Sequence, residues 1–390
     1  MSLFRQNGKG RLCRGKELQS NITIIGTRGI PASYGGFETF AEELCLALRQ
    51  VDRSMNLTVV CDRKAKKVNR AEFQYKGINL VYSKFSKDKN PVLYYLDSIL
   101  LTLGKNSIVL SCGLGGGLFL LLPKISGGIV LTNPDGLEWK RLKWSKAKVL
   151  FIKMLERLSA KLSFGLVCDS EAILTYYQTR YRNIRLFYIP YGTEINPYMG
   201  IRNESVSKIL SKYGLDYDNY HLVVSRLEPE NNVSMIIQGY KASNAKKKLA
   251  IVGTVLNNKY CQSLLRNKDD NILFLGGIYD KETISVIRAN AYSYWHGHSV
   301  GGTNPSLLEA MGSANLCVCH DNVFNRSTLK NNGLFFKNIE EVKFLFDRIE
   351  AFRDREMRIK VLALAKQHYS WQRIANEYRR LFLVVSRRRR

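Results

Sequence analysis

Paired cysteines are missing from this 390-residue chain. Its eight cysteines, at 13, 45, 61, 112, 168, 261, 317 and 319, show no paired spacing, and most sit inside apolar segments. That argues against a disulfide framework and points to a reducing cytoplasm. Cys317 and Cys319 in "CVCH" would share one face of a strand, and no second ligand pair follows, so buried strand cysteines fit better than half of a zinc site. Long apolar runs are missing too. The most apolar stretch, "GLGGGLFLLLPKISGGIVLT" from 113, is broken by Pro123 and Lys124. It falls well short of the roughly 20 residues a membrane span needs. The opening "MSLFRQNGKGRLCRGKELQS" is basic and lacks the apolar core of a signal peptide. Acidic residues are scarce: 33 Asp and Glu stand against 60 Lys and Arg, a net charge of +27. Such an excess favours an anionic partner, whether phosphate, nucleic acid or an acidic lipid surface.

What is present is a globular composition, 45% apolar and 24% charged, long enough for two domains with their own cores. From 21 to 195 strand-like runs ("NITIIG", "LTVVC", "INLVYS", "SIVLSCG", "GIVLTN", "FGLVCDS", "LFYIPYG") alternate with helical patterns. A second series begins near 220 with "HLVVSR", "KLAIVG", "NILFLGG", "AYSYWHGH" and "NLCVCHD". This alternation predicts α/β architecture, two Rossmann-like domains facing a central cleft. The expected division is a basic extension over 1–20, an N-terminal domain over 21–195, a C-terminal domain over 196–368, and a helix with basic tail over 369–390.

Two glycine turns each feed a helix. In "GTRGIPASYGGFETFAEELCLALRQ", Phe37, Phe40, Ala41, Leu44, Cys45 and Leu48 fall at helical spacing, which places the helix start just after Gly35 and Gly36. A helix N-terminus behind such a turn suits a phosphate or a polar substrate, and Arg28 and Tyr34 lie in the same loop. The turn is neither a Walker loop nor a full G-x-G-x-x-G, so a plain strand-to-helix connection is the competing account. In "HGHSVGGTNPSLLEAMG" from 296 to 312, Asn304 is placed to cap and Pro305 suits the first helical turn. Gly301, Gly302 and Thr303 precede them, with Ser306 on the helix. Glu309 then sits one turn inside, where a carboxylate reaches a ribose diol or simply solvent.

Taken together, "GTRGIPASYGGFETF", "NPDGLEWKRLKW" at 133, "CDSEAI" at 168, "IPYGT" at 189, "SRLEPENN" at 225 and "GHSVGGTNPSLLEAMG" at 297 resemble bacterial rhamnosyltransferases of the GT-B, family-4-like type. Those enzymes build capsular and cell-surface polysaccharides. The resemblance runs from about 20 to 375. It implies a GT-B fold with a nucleotide sugar, dTDP-rhamnose, as substrate on the C-terminal domain with no further cofactor, and an acceptor on the N-terminal domain, with anomeric retention. It implies that Arg226 grips the donor diphosphate and Glu309 the ribose, with Glu230, Asn231, His298, Gly301, Gly302, Thr303, Asn304 and Ser306 around them. Arginine offers a permanent bidentate charge for a leaving diphosphate where no metal-ligand cluster is visible. Two positions depart from the wider family. Asn231 stands where many members carry lysine, and Gly301 where they carry the first glutamate of a Glu-x7-Glu pair. The "PENN" and "GGTNPSLLEA" forms resemble the rhamnosyltransferase subgroup.

Asp135 and Glu138, at a strand end facing the cleft, are the candidates to orient or deprotonate an acceptor hydroxyl, with Asp135 favoured. Lys146, Lys153, Arg157 and Lys161 form a basic stripe on the next helix, beside Leu150, Met154, Leu155, Leu158 and Leu162. With both termini basic, this predicts a peripheral position on the anionic inner face of the cell membrane, where a lipid-linked glycan acceptor sits. Two other readings compete: a GT-B nucleotide-sugar epimerase or hydrolase, and a nucleic-acid binder. The second is disfavoured because no recognised module with interleaved aromatics is present.

Overall fold

The computed structural model describes residues 21–32, 35–64, 72–104, 107–141, 144–352 and 355–387. Among the described residues, fourteen strands fall into two sheets. The first contains β1 (Asn21–Ile25), β2 (Asn56–Cys61), β3 (Gln74–Tyr75), β4 (Ile78–Tyr82), β5 (Ser107–Cys112), β6 (Ile129–Asn133), β7 (Gly165–Cys168) and β8 (Leu186–Tyr188). Their spatial order is β3-β4-β2-β1-β5-β6-β7-β8. Every pair is parallel except β3 with β4. The second contains β9 (Tyr220–Val224), β10 (Lys248–Val252), β11 (Ile272–Gly276), β12 (Ser293–His296), β13 (Cys317–His320) and β14 (Leu334–Phe336). It is wholly parallel, in the order β11-β10-β9-β12-β13-β14.

Strands such as "SIVLSC" and "KLAIV" are near-continuously apolar because helices cover both faces of a parallel sheet. Each sheet reverses its strand order once, at β1 beside β5 and at β9 beside β12. Loops leaving the carboxyl ends at such points form a crevice. Here they are the segments after β1, β6, β7, β9 and β12.

One apolar cluster is shared by the two halves. It runs from Ile22, Phe40 and Leu44 through Tyr191 to Leu307 and Leu308. The last helix, Trp371–Arg387, returns to the N-terminal half, buries Ile374, Ala375, Tyr378, Leu381, Phe382 and Val385, and ion-pairs Arg379 with Asp52 at 2.7 Å. Phe40 meets Tyr191 and Tyr378 at ring separations of 5.0 and 5.8 Å. The linker is held from both sides: Thr193 N–H donates to the Tyr369 carbonyl at 2.6 Å, and Asn196 donates to Ser285 O and Ser313 Oγ. A Cβ on Gly192 would lie 2.4 Å from the Trp371 ring, so this crossing needs glycine. Cys317 and Cys319 are buried in β13, as are the other described cysteines in their own elements. No helix of the described residues is long and apolar enough to cross a membrane.

Candidate active site in the interdomain cleft

The N-terminal wall of the cleft begins at the loop after β1. The helix Gly36–Val51 starts at Gly36, and its N-cap, Gly35, has φ +111°. A Cβ there would meet the Glu38 carboxylate at 2.2 Å. Glu38 is buried and accepts the Arg28 backbone N–H at 2.7 Å; the Arg28 guanidinium also holds Asp88 at 2.8 Å. Arg28 is therefore engaged within its own domain. Tyr34 lies outside the described residues. Lys87, which the sequence reading passed over, bonds the Gly26 carbonyl at 2.5 Å, and burial lowers its pKa against the opposing pull of Glu38.

After β6, Asn133 Oδ1 accepts the Asp135 N–H at 2.9 Å and fixes Asp135 in a left-handed conformation at φ +63°. Glu138 is spent on structure: it pairs with Arg141 at 2.8 Å and accepts the Trp144 indole N–H at 3.1 Å. Of the two carboxylates singled out from sequence, Asp135 is the one near enough to Asp169 for its charge to be felt there. Gly136, next to it, touches the opposite domain: a Cβ there would come within 2.5 Å of Gly301 Cα and 3.0 Å of Gly302 N.

On the C-terminal wall, Asn231 organises the loop after β9. Its side chain donates to the Arg226 carbonyl at 2.6 Å and meets His298 Nδ1 at 2.7 Å. Asn232, left-handed at φ +49°, donates to Gly297 O at 2.7 Å. Glu230 is buried; its carbonyl accepts both the N–H and the hydroxyl of Ser299. Arg226 keeps 41% of its side chain exposed, with Glu228 at 3.5 Å, which leaves the guanidinium open to an anion. His298 is held well below the usual imidazole range, first by burial and then by His296, Arg141 and Arg226, so it works as a neutral ring.

Asn304 caps the helix Pro305–Gly312 by accepting the Ser306 N–H at 3.0 Å. Ser306 Oγ donates to Val224 O and meets the Tyr294 hydroxyl. Glu309 pairs at 2.6 Å with Arg288, a residue the sequence reading missed; Arg288 is 5% exposed and Glu309 39%. Both line a cavity of about 350 Å³ between the domains, bounded also by Thr39, Glu43, Asn196 and Pro305.

The largest omission is Asp169, at the end of β7 within the quoted "CDSEAI". It is fully buried, and its carboxylate reaches across the cleft to accept the Thr303 N–H at 2.8 Å, while its carbonyl accepts the Thr303 hydroxyl at 2.5 Å. Its second oxygen has no hydrogen-bond partner among the described residues. Burial, with the charge of Asp135 added, pushes its pKa up to about 7. A Cβ on Gly302 would lie 2.0 Å from that carboxylate. A strand-end carboxylate directly before the helix-capping Ser170 was the available signal.

A Cβ on Gly302 would thus meet Asp169, and one on Gly301 would lie 2.5 Å from His298 Nε2, while Gly136 abuts the turn from the opposite wall. Residues 207–367 match the family described as glycosyl transferases group 1. Residues 19–194 match a domain of unknown function, DUF1972. No curated protein matches the chain. Among solved structures, sucrose-phosphate synthase from Thermosynechococcus elongatus superposes with a TM-score of 0.77 at 14% identity, covering 94% of this chain and all of that one. HepE of Anabaena, in complex with UDP and glucose, gives 0.73 at 14% identity over 94% of this chain and 100% of its own. The E. coli trehalose-6-phosphate protein OtsA, bound with UDP-2-fluoro glucose, gives 0.71 at 11% over 93% and 99%. The fold of this chain is GT-B.

Proposed function

We propose that the protein transfers L-rhamnose from dTDP-rhamnose, with retention, to a sugar hydroxyl of a lipid-linked glycan at the inner face of the membrane, in surface-polysaccharide synthesis. The observation that carries the reading is the Gly301-Gly302 turn. Where the wider family places a glutamate, this chain presents bare backbone beside a neutral His298, a surface suited to a 6-deoxy sugar whose hydroxyls do not call for a carboxylate. Arg226 takes the diphosphate by charge-assisted hydrogen bonds, Glu309 takes the ribose, and Asp135 orients or deprotonates the acceptor hydroxyl. The N-terminal domain, with its loop at Arg28 to Gly36, faces the acceptor.

HepE has been crystallised with UDP-glucose, which makes glucose the competing donor. Calorimetry with dTDP-rhamnose, UDP-glucose and dTDP-glucose, followed by product analysis, separates the two. Tighter binding and turnover of UDP-glucose would refute the rhamnose assignment.

A further inference from the structure

The described surface of the N-terminal half carries a feature remote from the cleft. At the amino-terminal edge of the first sheet lies a cavity of about 620 Å³ whose walls include Lys124, Lys161, Arg182 and Arg185. No carboxylate is among its lining residues, and Lys124, Lys161 and Arg182 form no ion pair among the described residues. Arg185 is braced, its guanidinium 4.4 Å over the Phe164 ring and bonded to the Phe164 carbonyl at 3.4 Å. Four cations around one hollow with no counter-charge form a receptor for a phosphate-type anion.

The adjoining surface is apolar. Leu121 and Ile125, flanking Lys124, are 47% and 81% exposed; Leu118 is 37% exposed. The 114–119 turn packs against the helix Lys146–Leu162 so closely that a Cβ on Gly117 would sit 2.8 Å from Leu155 O. On that helix Leu150 and Met154 are 71% and 41% exposed. With Arg157 and Lys161 they continue one outward ridge, at spacings of four, three and four residues, that ends at the cavity. Leu155, grouped with them in the sequence reading, is instead buried at 7%. Exposed leucines with a cationic rim match the two layers of a lipid interface, acyl chains and anionic headgroups.

We propose that this face is a docking surface for an anionic phospholipid membrane: the cavity seats headgroup phosphates while Leu118, Leu121, Ile125, Leu150 and Met154 enter the acyl boundary. The inference rests on the membrane-proximal part of the function proposed above and names the surface responsible. The other end of the same 17-residue helix, about 25 Å away along its axis, packs near Trp139 and Trp144 beside Glu138, so one helix runs from the docking face to the cleft side of the domain.

The test is vesicle flotation of the full chain with phosphatidylglycerol or phosphatidylcholine. It compares wild type with Leu121→Ser/Ile125→Ser, with Lys161→Gln/Arg182→Gln, and with Lys146→Gln/Lys148→Gln at the far end of the helix. Wild type should bind only phosphatidylglycerol vesicles. The leucine-isoleucine pair should lower partitioning by about tenfold per side chain, and the cavity pair by about fivefold per charge, with melting temperature and nucleotide-sugar affinity unchanged. Vesicle binding by Leu121→Ser/Ile125→Ser equal to wild type, with inorganic phosphate competing, would make the cavity a free-anion site and overturn the proposal. So would equal binding to both lipids, or loss confined to the Lys146/Lys148 variant. Patch-dependent vesicle binding in a protein that fails to use dTDP-rhamnose would uphold the surface and refute the donor assignment instead.

Discussion

Glu309 and Arg288 share one ion pair but not one environment. The arginine is buried and the carboxylate opens to the cavity, at 5% and 39% exposure. Removing the carboxylate leaves a guanidinium buried without a counter-charge, which costs roughly 3 kcal/mol or more; replacing it by the amide keeps a hydrogen-bond acceptor. Glu309→Ala should therefore melt well below wild type, while Glu309→Gln stays nearer to it yet still loses donor affinity. Thermal melts and calorimetry on both variants check this, and wild-type stability of Glu309→Ala would dismiss the pair as a structural element. Asp169 behaves in the opposite sense to a surface carboxylate. Its folded pKa, about 7, lies above the unfolded value near 4. Between those values the folded state holds a proton the unfolded chain has lost. Its contribution is thus complete below about pH 4 and is lost as pH rises toward 7, by up to about 1.4 kcal/mol per pH unit. Asp169→Asn should flatten that decline. A melting-temperature profile from pH 4 to 8 that has the same slope in both proteins would refute the assignment. None of this was legible beforehand, since motif spacing places Asp169 at a strand end and Glu309 one turn inside a helix but carries no information on the distant partners, Thr303 of the other domain for Asp169 and Arg288 of a neighbouring helix for Glu309.

At the scale of elements much was legible, and for local reasons. Apolar runs of four to six residues separated by amphipathic segments encode parallel strands and covering helices, and the second sheet follows that pattern from "HLVVSR" to "NLCVCHD". The Asn304-Pro305 start of the helix Pro305–Gly312 was readable because capping and N1 chemistry act within three residues. The phosphate-loop expectation at Gly35 and Gly36 rested on equally local chemistry, yet Arg28 is tied to Glu38 and Asp88, contacts made by residues 10 and 60 positions away. The closing helix shows how a remote element completes a core. Phe382 is fully buried on the N-terminal half, with Tyr378 at 5.7 Å. Phe382→Ala removes a large side chain from a packed site and should cost roughly 3–5 kcal/mol. Limited proteolysis of that variant should cut first within residues 21–190, not in the second sheet. Preferential cleavage in the second sheet would show that the helix does not stabilise the half it packs on.

Across the whole molecule the two halves meet through backbone as well as side chains, and this sets what closure requires. Gly136 lies against Gly301 and Gly302, Thr303 is clasped by Asp169, and Lys281 reaches Glu43 at 2.6 Å. In the proposed transfer, donor and acceptor meet where these faces meet, and reacting atoms misplaced by an ångström lose rate steeply. Gly136 is the most sensitive probe because its missing Cβ is the space the opposite turn occupies. Gly136→Val adds a branched side chain where even one carbon would come within 2.5 Å of Gly301 Cα. The backbone on both sides has no flexible side chain to give way, so the domains must separate. Arg226 and Glu309, the residues proposed to hold the donor, belong to the other domain and keep their own contacts. The variant should therefore bind nucleotide sugar within about threefold of wild type, an energy difference near RT. Its transfer rate should fall by about a hundredfold, and its radius of gyration in solution scattering should rise. Full transfer activity with an unchanged radius would mean that the contact of the two glycine turns is not part of the closed, reactive state.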